Sequence, residues 1–201
     1  MIKEKSLLKN HYINNFFMIR YLLQLYLILI FISMYLNAQS LDSEIKLVDE
    51  NIVFGKLEIA ESQIKNILDK DASYAPAYVS LSKISLMKAD NNNASKNANL
   101  AVRIDEDFRP WWEELNSLRK KIQAGASNVK NNNYESALLI FSELFVQYPN
   151  YPEVPYYLAM TYYKKKKYKQ AYIYFQKALD LYPDYHKAKK ALNNVKKRIQ
   201  N

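Results

Sequence analysis

The chain has 201 residues, of which 49% are hydrophobic and 24% are charged, a balance typical of proteins that bury a core. Two glycines and no cysteine argue against glycine-rich phosphate loops, thiolate metal sites, thiol nucleophiles and disulfides. The net charge of +9 is uneven: residues 39–118 carry nine Lys and Arg against fourteen Asp and Glu, whereas residues 119–201 carry sixteen against five. No motif pairs a nucleophile with a base, so we predict neither an enzyme nor a metal or cofactor site.

The amino-terminal segment has the order of a secretory signal. Arg20 precedes an apolar run from Tyr21 to Leu36, and Ala38 supplies a small residue at which cleavage can follow. The run is slightly long for a signal and slightly short for a membrane span of about 20 residues. We therefore predict that residues 1–38 are a cleaved signal peptide, and keep an uncleaved signal anchor and a core helix as the alternatives.

The predicted signal sets an expected location. The 17 residues before Met18 are polar and mixed, so translation from Met18 would give a more typical signal than translation from Met1. We expect export, to the bacterial periplasm, with a membrane tether as the alternative if the segment stays uncleaved. In an oxidising compartment the chain would then fold without disulfides.

Four residue types recur at an offset of 34 in the carboxyl-terminal half. The pairs are Tyr134 and Tyr168, Ala137 and Ala171, Phe141 and Phe175, and Pro149 and Pro183. This period indicates helix-turn-helix repeats, in which a small alanine admits a neighbouring helix, an aromatic residue fills the groove one turn later and a proline ends the second helix. Weaker copies lie upstream, where Ala60 and Ala94 keep the same offset.

These residues resemble the tetratricopeptide repeat (TPR) family over about residues 41–185. The matching positions of the best copy are Leu158, Ala159, Tyr162, Tyr168, Ala171, Phe175, Ala178 and Pro183, and the preceding copy keeps Gly125 at the small site. Pro155 stands where the family has its leading aromatic residue. The resemblance implies an all-α fold, a TPR-like α-solenoid of about four helix-turn-helix repeats plus a carboxyl-terminal capping helix.

The repeats are not evenly spaced. From Ala94 to Ala137 is 43 residues, nine more than the period, and the surplus falls around Trp111 and Trp112. We predict either an extended first helix or an extra turn and helix there, with the tryptophans packing at the junction or facing a ligand. The expected domains are two divergent repeats in 41–108, then a connecting helix, two clear repeats and the capping helix in 109–201.

The resemblance also implies a partner-binding groove, because the first helices of TPR repeats line a concave surface. Carried over by position, the predicted groove residues are Lys83, Met87, Ile122, Val129, Tyr156, Met160, Tyr163 and Lys164. A Lys and Asn clamp for carboxylates, known in some members, is absent here, where Ile45, Asp49 and Ser80 stand. The run Lys164–Lys167 falls in a predicted turn, read as a solvated turn or an anion site.

The sequence thus favours a non-enzymatic exported scaffold that mediates protein-protein interaction through an aromatic and basic groove. We expect a protein or peptide partner and no nucleic acid. The alternative is that the basic carboxyl-terminal half binds an anionic polymer or a membrane surface, since positive charge is concentrated there. The two differ in salt dependence, because attachment driven by counterion release weakens steeply with salt.

Overall fold

The computed structural model describes the backbone of residues 2–200 and the side chains of residues 18–36 and 39–200. Within these residues every regular element is a helix and there is no strand, which confirms the all-α class. The helices are α1 Ile2–Val53, α2 Leu57–Lys70, α3 Ala75–Met87, α4 Asn91–Ile104, α5 Arg109–Lys130, α6 Tyr134–Gln147, α7 Glu153–Lys164, α8 Tyr168–Leu181 and α9 His186–Gln200. Residues 1–47 and 48–201 form two compact units.

The first unit consists mainly of α1, whose side chains from Met18 to Leu36 are exposed. The apolar part of this helix is long and hydrophobic enough to cross a membrane by length and composition, with a mean hydropathy of 1.8 and none of it buried in the chain. A signal sequence passes the same test. The helix continues past residue 38 because no Pro or Gly occurs before Gly55. Cleavage after Ala38, whose side chain lies outside the described part, and the choice of start at Met1 or Met18 stay predictions.

The second unit is a series of helix pairs. Consecutive helices pack on one another from α2 to α9, and the pairs α3 with α4, α5 with α6 and α7 with α8 correspond to three predicted repeats. The last turn of α1 pairs with α2 as the most divergent copy, where the Asn51 side-chain amide donates to Gln63 Oε1 at 2.9 Å. Helices α6 and α8 end two residues before Pro149 and Pro183, as the sequence predicted.

Each pair is joined by a tight turn with one residue in the left-handed backbone region. These residues are Gly55, Ala89, Asn132 and Lys166, with φ between 54° and 71°. They are separated by 34, 43 and 34 residues, so the turns reproduce the sequence period and its one irregularity. In each turn the next amide reaches back five residues, as from Lys167 N–H to the Tyr162 carbonyl at 2.9 Å, which is the Schellman arrangement.

The surplus of nine residues is an extended first helix. Helix α5 has 22 residues, against 13 in α3, and a single 3₁₀ turn, Glu106–Phe108, precedes it. Trp111 and Trp112 are half-buried and pack on the cluster formed by Leu86, Ala94, Ala98 and Leu115. The Trp111 indole N–H also donates to Ser82 Oγ at 3.2 Å. The structure thus gives the tryptophans the packing role at this junction.

The two clear repeats share one packing unit. In the first, Gly125 of α5 lies under the ring of Phe141 of α6, which is fully buried. One period later, Ala159 of α7 and Phe175 of α8 belong to one buried cluster. Burying each phenylalanine contributes about 2–3 kcal/mol, which requires that the first helix present a small residue beneath the ring.

Helix α9 closes the series on its carboxyl-terminal side. Its buried residues Ala188, Leu192 and Val195 lie one period of 34 after the first-helix positions of α7, and Leu192 and Val195 join the cluster around Phe175. Its remaining surface is basic and exposed. The helix therefore covers the last apolar face of the repeats, as predicted for a capping helix.

Gly125→Ala tests the close approach of α5 and α6. A methyl group at residue 125 would lie 2.5 Å from Cζ of Phe141, which cannot move freely because it stacks on Tyr157 with 5.2 Å between ring centroids. We expect the free energy of unfolding to fall by about 1–3 kcal/mol, despite the better helix propensity of alanine. Urea denaturation measures the change.

Phe141→Leu supplies the control for this experiment. Alone it leaves a cavity and destabilises the fold, but in the double variant the smaller side chain makes room for the added methyl group. The decreases in unfolding free energy of the two single variants should therefore sum to more than the decrease in the double variant. Strict additivity would show that the two residues do not meet.

Candidate partner-binding surface

The first candidate site is a cavity between α7 and α9, here called the α7–α9 cavity. It has a volume of about 250 Å³, and its lining residues are Tyr156, Met160, Tyr163, Phe175, Lys187, Lys190, Ala191 and Asn194. Three of them, Tyr156, Met160 and Tyr163, are predicted groove residues. The lining is mostly apolar and aromatic, and the charged groups come from α9. The site therefore offers an apolar contact area next to two ammonium groups.

The basic residues of this cavity were not predicted as site residues. Lys187, Lys190 and Asn194 belong to the predicted capping helix, whose polar side chains are expected to face solvent. Yet they lie 34 residues after Glu153, Tyr156 and Met160, so α9 occupies a first-helix position. Applying the period once more beyond the last repeat would have identified them.

A second cavity, here called the polar cavity, lies among α4, α5 and α7 and has a volume of about 490 Å³. Its polar lining residues are Asn91, Asn92, Asn116, Arg119, Lys120, Gln123, Glu153 and Tyr157. The predicted groove residue Ile122 lies at its edge and is itself buried. The polar cavity can offer several amide donors and acceptors, unlike the α7–α9 cavity.

Glu153 is the most unusual charged group of the second unit, since only 9% of it is exposed. Its Oε2 accepts a hydrogen bond of 2.6 Å from the side-chain amide of Asn91. Burial raises the pKa of the Glu153 carboxyl, while the Asn91 bond and the positive charges of Lys187 and Arg119 act in the opposite direction. Glutamate in a first helical turn is ordinary in sequence, so no signal marked this residue.

An aromatic cluster joins the two cavities. The ring centroid of Tyr156 lies 5.3 Å from Tyr157, 5.2 Å from Tyr185 and 5.7 Å from Phe175. Burial, and secondly the Glu153 carboxylate, raises the pKa of all three tyrosines, that of Tyr157 to about 12. Their hydroxyl groups therefore stay protonated at physiological pH and can donate hydrogen bonds.

The other predicted groove residues lie elsewhere. Lys83 and Met87 line a third cavity of about 240 Å³, together with residues of the loop between α6 and α7. Lys83 Nζ lies 3.5 Å from Asp49 Oδ1, and Ser80 Oγ donates to the same oxygen at 2.9 Å. Two of the residues that stand at the clamp positions, Asp49 and Ser80, are thus hydrogen-bonded to each other.

Val129 and Lys164 contribute to none of these three cavities. Val129 is half-buried against the core around Phe141, and Lys164 is exposed at the end of α7. In the adjoining turn, Lys165 pairs with Glu135. The eight predicted residues are therefore distributed over several concavities and core positions, and the structure brings three of them together.

Metal ligands are not grouped in the described part of the chain: no cluster of three or more His, Asp or Glu side chains is found there. His186, at the start of α9, is exposed.

Comparisons with known proteins give one local match. The family model for the tetratricopeptide repeat matches residues 156–185, which span most of α7 and all of α8. No curated protein sequence matches the chain.

Several solved structures resemble the chain in fold. YrrB, a TPR protein with an unusual peptide-binding site, is 21% identical with a TM-score of 0.36, and the match covers 74% of this chain and 89% of YrrB. PilF of Pseudomonas aeruginosa is 20% identical with a TM-score of 0.38, and the match covers 82% of this chain and 71% of PilF. MamA is 15% identical with a TM-score of 0.40, and the match covers 80% of this chain and 82% of MamA. The repeat assignment rests on the helix pairs themselves, because these scores are low.

Glu153→Gln tests the electrostatics of the polar cavity. Because the folded state raises the pKa of Glu153 above its usual value of 4.5, it binds the proton more tightly than the unfolded chain does. Wild-type stability should therefore fall as pH rises from 4.5 through the folded pKa. Glutamine can still accept the Asn91 hydrogen bond and should remove this loss.

Thermal melting between about pH 4 and pH 8 measures the effect. The melting temperature of Glu153→Gln relative to wild type should increase with pH over this range. Glu113→Gln, at an exposed position of α5, is the control for loss of a carboxyl group. A difference that stays constant with pH would contradict the assignment.

Proposed function

We propose that the chain is a non-enzymatic scaffold that binds a protein partner through the α7–α9 cavity. The observation that carries the proposal is the cavity itself, in which Tyr156, Met160 and Tyr163 face Lys187 and Lys190. Tyrosine and methionine give a large, adaptable apolar contact area, and tyrosine loses little entropy when it binds. Helix pairs joined by tight turns hold these side chains on a rigid support.

The chemistry of the lining defines the partner. A cavity of about 250 Å³ fits one large apolar side chain, and the two lysines at its edge favour carboxylates nearby. We propose an extended peptide segment with an apolar anchor residue flanked by acidic residues. The polar cavity extends the same surface, and its amide groups suit hydrogen bonds to a peptide backbone.

A second candidate function uses the charge of α9 alone. This helix exposes Lys187, Lys189, Lys190, Lys196, Lys197 and Arg198, although Lys189 Nζ lies 3.0 Å from Asp184 Oδ1. Such a face could bind an anionic polymer or an anionic membrane surface without any use of the cavity. The two functions predict different effects of the same substitutions.

The decisive experiment places a photo-crosslinking residue at Met160 of the full chain in living cells and identifies the captured protein by mass spectrometry. Lys96, exposed on α4, is the matched control position. The purified partner should then bind the wild-type chain in moderate salt. Reversal of charge at Lys187 and Lys190 should weaken it about tenfold, which corresponds to about 1.4 kcal/mol.

Met160→Glu separates the two candidate functions. It places a carboxylate in the lining of the α7–α9 cavity and should abolish peptide binding, while leaving the outer lysines of α9 unchanged. Binding to phosphatidylglycerol vesicles that is lost at moderate salt, and that Met160→Glu does not alter, would favour the second function instead. Capture at Lys96 equal to that at Met160 would contradict the peptide-binding function.

The proposed location is outside the cytoplasm, either as a cleaved periplasmic protein or tethered by α1. The support is the exposed apolar part of α1, which begins near Met18. Protease accessibility in spheroplasts, combined with amino-terminal mass spectrometry of the mature protein, tests this. A protease-protected chain that retains residues 18–36 and stays in the supernatant with soluble cytoplasmic proteins would refute it.

A further inference from the structure

The outer faces of α6 and α8 carry a stripe of residues that the proposed function does not use. On α6 the stripe consists of Glu135, Leu139 and Glu143, and on α8 it consists of Lys169, Ile173 and Lys177. Each set has a spacing of four residues, which places its members on one side of the helix. All six residues are exposed, Leu139 by 63% and Ile173 by 60%.

The two stripes are complementary position by position. One period of 34 relates Glu135 to Lys169, Leu139 to Ile173, and Glu143 to Lys177. Equivalent positions of the two repeats therefore carry opposite charges at both ends and an aliphatic residue in the middle. Helix α6 contains no Lys or Arg, so the charged residues of its outer face are all acidic.

The two helices are neighbours on one surface. Phe145 of α6 and Tyr174 of α8 form an edge-to-face contact with centroids 6.0 Å apart, and Lys177 Nζ lies 4.8 Å above the Phe145 ring. As equivalent helices of successive repeats, α6 and α8 run in the same direction. The acidic and basic stripes thus lie on adjacent helices of one surface.

We propose that this surface is the interface for a second copy of the chain. A two-fold axis parallel to α6 and α8, and between them, places α6 of one protomer on α8 of the other. Leu139 then meets the partner's Ile173, and Glu143 meets the partner's Lys177. Every contact forms twice, and each acidic stripe faces a basic one. The assignment rests on complementarity within one sequence, which an unrelated partner would not require.

The area of the proposed interface limits the affinity of the dimer. Helices of 14 residues are about 21 Å long, so two helices side by side cover about 400 Å² per protomer and about 800 Å² in total. This lies below the range of about 1,200–2,000 Å² for stable specific interfaces and within the range of weak, transient ones. The dimer is therefore weak, and it depends on both concentration and salt. Glu135 also pairs with Lys165 of its own chain, which leaves Glu143 and Lys177 as the principal ionic contact.

Disulfide trapping in the full chain tests the register, because the native sequence has no cysteine. Leu139→Cys and Ile173→Cys are purified separately in detergent, mixed and mildly oxidised. Only residues whose Cα atoms approach within about 7 Å can be bridged. We expect the mixture to give a covalent dimer that neither variant gives alone. Lys96→Cys, at the equivalent position of α4, is the control and should not crosslink to Ile173→Cys.

A charge exchange provides an independent readout. Glu143→Lys or Lys177→Glu alone should reduce crosslinking in the mixture severalfold, and both substitutions together in each chain should restore it. Circular dichroism checks that each variant is folded. Crosslinking of Leu139→Cys alone as efficient as in the mixture, absence of any crosslink in the mixture, or failure of the exchange to restore it would overturn the proposal.

Discussion

In the two clear repeats the second helix lies close to the first because the first presents a small residue beneath an aromatic ring. Gly125 under Phe141 is the most restrictive case, since a single added methyl group would overlap the ring. Ala159 and Phe175 repeat the arrangement with one methyl group of tolerance. The distance between helices fixes the positions of the neighbouring first helices, and these helices carry most of the lining of the α7–α9 cavity and of the polar cavity. The candidate site thus depends on a packing contact that lies behind it.

Most of the fold could be predicted from the sequence because this packing contact repeats. Ala137, Ala171 and the prolines that follow them mark helix faces and helix ends directly, and the nine-residue surplus appears as the longer α5. The turns were harder to foresee. Ala89 and Lys166 adopt a left-handed backbone that their side chains do not favour, and only their position in the period indicates it.

The candidate site was less accessible to sequence reasoning, because a concave surface combines residues from helices that are distant in sequence. Tyr156 and Met160 were found through the repeat period, whereas Lys187 and Lys190 lie on the capping helix, whose polar residues are expected to face solvent. Glu153 could not be recognised, since its burial results from the approach of α4 to α7. Charged side chains that would face solvent on an isolated helix can therefore line a cavity between that helix and its neighbour.

The hydrogen bond between Asn91 and Glu153 joins residues 62 positions apart, from the second and fourth helix pairs. Ala89, in the turn just before Asn91, likewise packs against the cluster that contains Tyr185. In a simple array each unit interacts with its immediate neighbours, and unfolding can begin at either end and spread one unit at a time. Contacts that skip a unit couple the middle of the array to its end. The last three helix pairs should consequently melt as one cooperative block, without a frayed terminal intermediate.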